Sequence, residues 1–199
     1  ICDLIDKDRA DIDIAPYAEL YQQLYFSFYE NTLTLYQDQY PLFGDAQVMP
    51  LKVIWDYTYY WALLAPLFFA DRMTDLATLG RLRPAFQQAG ALNLAIQPLL
   101  REWGQRNAGR PVPGARLLDQ FRIDWFREMN RALSDTLDTA AFVARIGANV
   151  ERMRWLAAEL LQRARIEHPA IGDHGLDALL GDTSQLPVSL DAGWYADAA

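Results

Sequence analysis

Tyr17, Tyr21, Tyr25 and Tyr29 recur every four residues, and Leu20, Leu24, Phe28 and Leu35 fill the adjacent stripe at spacings of four and seven. Positions four apart share a face on an α-helix, whereas side chains on a strand alternate with a period of two. Neither Gly nor Pro interrupts residues 17–40. Asp13 supplies a candidate cap. Pro16 falls in the first turn, where its missing N–H leaves no intrahelical bond unmade. Residues 41–44, Pro41 through Gly44, stop the helix.

The same period returns later in the chain. Leu118, Phe121, Trp125, Met129 and Leu133 predict a helix over 117–134. Asp138 caps a final long helix to about Glu167, with Ile146, Val150, Met153, Ala157, Leu160 and Ala164 on its apolar face and Pro169 beyond it. Residues 81–107 contain Pro84, Gly90 and Pro98 and are expected as one kinked helix or two short ones, after a short connection over 71–80 that includes at most two helical turns. In 46–70, Pro50 can open a helix. Val53, Ile54, Trp55, Tyr57 and Tyr59 also suit a strand, but continuity into Leu63, Leu64 and Leu67 favours a helix that Pro66 ends or kinks. Residues 108–114, dense in Gly and Pro, form the clearest loop and a candidate subdomain junction. Leu176 to Leu180 is a short helical candidate before a thin tail ending Trp194-Tyr195. Each long helix has one apolar stripe to bury, and no run of alternating strands supports a sheet. The expected fold is therefore all-α, an irregular bundle of about five to seven helices, several kinked by Pro or Gly, in one domain over 1–199.

Composition narrows the function classes. The 18 basic and 26 acidic residues give a net charge of -8, which argues against a general nucleic-acid binder. Cys2 is the single cysteine, so no internal disulfide framework exists. His168 and His174 are the only histidines, and Glu167-His168 lacks the Glu-x-x-His spacing of a dinuclear metal bundle, so no metal site is expected. No Gly-x-Gly-x-x-Gly or Gly-x-x-x-x-Gly-Lys-Ser/Thr sequence cradles a phosphate. The longest apolar run, 57–70, has 14 uncharged residues where a membrane span needs about 20. No targeting segment is read at Ile1-Cys2-Asp3, and a cytoplasmic location is expected. Residues 81–165 carry 14 basic and 8 acidic side chains, and all the basic ones are arginine. Glu102/Arg106 and Glu159/Arg163 are spaced for i,i+4 pairs, and Asp124/Arg127 and Glu128/Arg131 for i,i+3 pairs. A solvated face explains this pattern, as does a basic surface that meets an anionic ligand.

Aromatic residues crowd the first part of the chain, with 16 of the 25 Phe, Trp and Tyr residues in the first 70. Two helices packing aromatic faces together account for this, and so does an aromatic wall around a flat or extended apolar ligand. Lys52 and Asp56, one turn apart inside this zone, are spaced to pair.

Three quoted stretches carry a family likeness: Phe28-Tyr29-Glu30-Asn31-Thr32-Leu33, Leu35-Tyr36-Gln37-Asp38-Gln39-Tyr40-Pro41-Leu42-Phe43-Gly44, and Met49-Pro50-Leu51-Lys52-Val53-Ile54-Trp55-Asp56-Tyr57-Thr58-Tyr59-Tyr60-Trp61. They resemble the C-terminal region of bacterial FAD-dependent oxidoreductases related to flavin-dependent (tryptophan-type) halogenases. The resemblance implies an FAD-binding part earlier in the same protein, with this helical part packed over it to help form the cavity for an aromatic or extended apolar substrate. Ile1 to Asp8 then match the end of the helix that closes the FAD-binding part. The family's glycine motif, its tryptophan-rich motif and its halogenating lysine all fall before Ile1 under this reading. No catalytic residue is carried over, Lys52 included, and FAD is implied only for the longer protein. Trp55, Tyr59 and Trp61 are the candidates for lining the substrate cavity. A stand-alone helical binding module for an apolar ligand or partner helix, and an oligomerisation domain, are the alternatives, and homo-oligomerisation is left open.

Overall fold

The computed structural model describes residues 1–108, 116–181 and 194–197. The loop and subdomain junction expected within 109–114 lie outside them. The helices are α1 (Cys2–Arg9), α2 (Ala15–Thr34), α3 (Val48–Tyr59), a π-helical turn (Tyr60–Leu64) that leads directly into α4 (Ala65–Phe69), α5 (Leu76–Asn107), α6 (Asp124–Arg131), α7 (Thr139–Glu167) and α8 (Leu176–Leu180). With α3, the π turn and α4 taken as one rod, seven helices among the described residues make an all-α fold. Its one departure among the described residues is a two-stranded antiparallel ribbon, β1 (Arg116–Leu118) with β2 (Tyr195–Asp197), in which Leu117 faces Ala196 in register.

α5 and α7 pack along each other at the centre, with α3 against both and the π turn against α7. α7 presents the stripe its period predicts: Ile146, Val150, Met153, Ala157, Leu160 and Ala164 are all buried. α5 answers with Leu82, Leu92, Ile96, Leu99 and Trp103. Each fully buried side chain of this size contributes about 1.5–3 kcal/mol, so this seam is a large part of the fold's apolar stabilisation. Asp138 caps α7 by accepting from Ala141 N–H at 2.8 Å, as its position predicts. Three tryptophans fasten the far side: Trp125 on α6, Trp155 on α7 and Trp194 lie with ring centroids 5.8–6.4 Å apart.

The helix expected over 117–134 is replaced by shorter pieces. Leu117 and Leu118 belong to β1, and Asp119 N–H donates to Trp194 O at 2.8 Å, continuing the join to the distant ribbon partner. The Asp119 carboxylate then accepts from Phe121 N–H and turns the chain through a 3₁₀ segment before α6 begins.

Three prolines lie inside helices, and each removes the N–H that would reach the carbonyl four residues back. For Pro84 and Pro98 those residues are Gly80 and Leu94, which are exposed, so water serves the carbonyls and α5 continues as one helix of 32 residues. Pro66 is different, because Ala62 is completely buried. Here the rod slips into a π turn, with Ala65 N–H donating to Tyr60 O, and Asn149 of α7 donates its side-chain N–H to Ala62 O at 3.2 Å. The proline expected to end or kink this helix therefore leaves it running, because α7 supplies the missing donor.

Replacing Asn149 with Leu strands the buried Ala62 carbonyl and is expected to cost about 1–3 kcal/mol in urea unfolding. Adding Pro66→Ala restores a backbone N–H at that place, so the double variant should be more stable than Asn149→Leu alone. Equal stability of the two would show that this carbonyl needs no donor.

Candidate functional site

Where α2 ends, the structure buries a polar cluster between α2, α3 and α5. Lys52 is 2% exposed; its ammonium donates to Leu35 O at 2.7 Å and pairs with the Asp56 carboxylate one turn on. Gln97 Nε2 donates to Asp56 Oδ1 at 3.2 Å and to Asn93 Oδ1 at 3.1 Å. Asn93 Oδ1 also accepts from Trp55 Nε1 at 2.9 Å, and Asn93 Nδ2 donates to Thr34 Oγ1 at 2.8 Å. Burial pushes the Asp56 carboxyl above the usual carboxylate range, against the pull of Lys52 and Gln97. The expected Lys52/Asp56 pair thus exists and, with Gln97, accounts for the half-buried acid. Gln97 Oε1 and both polar atoms of Gln39 are buried without a hydrogen-bond partner among the described residues.

A second face is apolar. α2 has no buried residue in its 20 positions. Its inner side, Tyr21, Leu24, Phe28 and Asn31, is half-buried, and Phe28 meets Phe86 of α5 edge-on at 6.4 Å. Its outer side leaves Tyr25 63%, Phe26 48% and Tyr29 53% exposed, with Tyr25 and Tyr29 stacked on each other at 6.4 Å. A groove of about 490 Å³ runs along this helix between Tyr21, Tyr25, Phe28 and Tyr29 on one side and Leu64 and Met73 on the other. At its end Tyr21 Oη donates to Asp3 at 2.5 Å, and Lys7 donates to the same carboxylate at 2.8 Å. Burial and the Asp3 contact push the Tyr21 phenol up to about 12.

A third feature is a groove of about 440 Å³ between the π turn and α6, lined by Tyr57, Trp61, Phe121, Phe126, Arg127 and Arg131. Trp61, one of the three sequence candidates, lies here. The other two lie elsewhere: Trp55 is fully buried with its indole N–H on Asn93, and Tyr59 is 4% exposed, its phenol pushed up to about 12 by burial. Of the expected helical ion pairs, Glu102/Arg106 and Asp124/Arg127 form. Glu128/Arg131 does not: Arg131, in the last turn of α6, lines the groove instead. Arg163 is paired with Glu167 at 3.3 Å.

Both histidines are tied to side chains, His168 to Asn107 at 2.8 Å and His174 to Glu102 at 2.7 Å. Among the described residues no group of three or more His, Cys, Asp or Glu is arranged to hold a metal ion, and no helix is long and apolar enough to cross a membrane. Cys2 is a free, exposed thiol. No protein-family model, no curated protein and no solved structure matches the chain.

Sequence reasoning missed Asn93, Gln97, Phe126 and Arg131. Asn93 and Gln97 had a readable signal: two amides four apart on a face otherwise made by Leu92, Ile96, Leu99 and Leu100. Lys52→Met leaves the half-buried Asp56 charge without its cation and is expected to cost about 1–3 kcal/mol at neutral pH in chemical unfolding. The folded-state pKa of Asp56 lies above its unfolded value, so the penalty is full above the folded pKa and shrinks as pH falls through it. A loss that stays constant down to pH values below that range would contradict this account.

Proposed function

We propose that this chain is the helical, substrate-covering portion of a flavin-dependent, halogenase-like oxidoreductase acting on an aromatic or extended apolar substrate. The observation that supports the reading best is the outer face of α2: it is rich in aromatic side chains, and among the described residues nothing buries it. Large contiguous apolar surfaces on soluble domains mark places where something else packs. The stretches that resemble the oxidoreductase family begin on this helix, at Phe28, and run through α3 to Trp61. In this reading the FAD-binding part of the same protein covers the α2 face.

The residues present here do not fit FAD itself. A flavin dinucleotide needs a glycine-rich turn and free N–H groups at a helix start for its pyrophosphate. The long helices begin instead on aspartates that already use those groups. Asp13 accepts from Ala15 N–H, Asp45 from Gln47 and Val48 N–H, Asp75 from Thr78 N–H and Asp138 from Ala141 N–H. A phosphate at any of these places would meet a carboxylate. The cofactor therefore belongs to the other part of the proposed protein, and no chemical step is assigned to residues of this chain.

Two measurements test the reading. The coding sequence upstream of Ile1 should continue in frame into a glycine-rich dinucleotide-binding motif, and the isolated chain should carry no flavin absorbance. A start codon at Ile1 would favour a stand-alone binding module, and stoichiometric flavin on the isolated chain would place the cofactor site here. The double variant Tyr25→Glu, Tyr29→Glu should leave the isolated chain's stability within about 0.5 kcal/mol of the parent, since both rings face solvent. In the full-length protein it should lower substrate turnover by disturbing the covered face. Unfolding of the isolated variant would show that α2 is held by its own aromatic face.

A further inference from the structure

The groove between the π turn and α6 differs from the α2 groove in one decisive respect. Both are lined by aromatic rings, but the ionic group of the α2 groove, Asp3, is already satisfied by Lys7 and Tyr21. The α6 groove has cationic charge to spare. Arg127 and Arg131 sit four apart on α6, so their side chains leave the same face. The Arg131 guanidinium makes no hydrogen bond or ion pair among the described residues; Ser134 engages its backbone carbonyl only. Arg127 pairs with the exposed Asp124 through one terminal nitrogen, while its buried Nε has no acceptor.

The floor is a packed aromatic surface. Ring centroids of Trp61 and Phe126 are 4.5 Å apart, Trp61 and Tyr57 5.3 Å, and Tyr57 and Phe126 6.5 Å. Phe121, 69% exposed, stands at the edge with no ring of its own to pack against. A flat ring laid in this groove gains offset and edge-on contacts with several faces at once. Two guanidiniums on one rim repel each other until an anion lies between them, and their planar forks match a carboxylate.

We infer that this groove binds a planar aromatic carboxylate, its ring on Tyr57, Trp61 and Phe121 over the buried Phe126 and its anionic group held by Arg127 and Arg131. The site is carried wholly by this chain, and it stands whether or not the chain covers a flavin enzyme.

The test is calorimetric titration of the 199-residue chain with 2-naphthoate, and with 2-naphthalenemethanol as the neutral counterpart of the same shape. Naphthoate should bind about tenfold more tightly than the alcohol, and added salt should narrow the gap. Arg131→Gln, an exposed substitution, should weaken naphthoate about fivefold and leave the alcohol unchanged. Phe121→Ser should weaken both ligands without disturbing the core, and Arg9→Gln on α1 should change neither. Equal affinity for the two compounds, an unchanged affinity in Arg131→Gln, an equal loss in Arg9→Gln, or no binding of either compound would each overturn the proposal.

Discussion

Burying the Lys52 ammonium obliges three helices to meet. A charge at 2% exposure must be surrounded by acceptors, and those acceptors come from the end of α2, through Leu35 O, and from Asp56 one turn away. Asp56 in turn needs Gln97, Gln97 reaches Asn93, and Asn93 holds both Trp55 and Thr34. The apolar seam between α5 and α7 supplies a large share of the driving force, but apolar contacts are non-directional and tolerate sliding. The polar cluster does not, since a shift of one turn would leave buried groups unpaired, at a cost of several times a typical net hydrogen bond. The seam holds the bundle together, and the cluster fixes how α2 and α3 lie on it.

Both grooves follow from that placement. α2 is anchored at its C-terminal end by Thr34 and Leu35 and along its length by Phe28 against Phe86, so only its inner side is engaged. The outer rings are left facing away, and the open groove beside α1 is the space between α2, whose N-terminal half is held by Tyr21 on Asp3, and its neighbours. On the other flank, Trp61 leaves the rod at the π turn and meets Phe126 of α6 across the second groove.

The sequence revealed some of this and concealed the rest for identifiable reasons. α7 was fully legible because its apolar stripe is narrow and its opposite face charged, so period alone selected Ile146, Val150, Met153, Ala157, Leu160 and Ala164. α2 was legible as a helix but not in its orientation, because aromatic residues occur on both sides and period cannot choose between two apolar faces. β1 was invisible, since its partner β2 lies near the other end of the chain and neither strand has an alternating pattern of its own. The outcome at Pro66 was equally hidden, because the donor that relieves Ala62 comes from Asn149, 87 residues away. Of the three aromatic candidates for a cavity, only Trp61 faces open space. What sent Trp55 inward was the amide of Asn93, a residue on another helix.

The π turn has a consequence for how this surface can vary. One added residue in a helix rotates everything after it by roughly 100° relative to everything before it. The segment before the turn is locked in azimuth by Lys52 and Trp55, while the segment after it answers to α7 through Asn149. Between these two fixed phases the turn acts as a rotary joint. Ala62 and Leu63 are buried and hold that joint in the core, so variation that re-aims the Trp61 indole falls to Tyr60 and Leu64, the turn's exposed and half-buried positions.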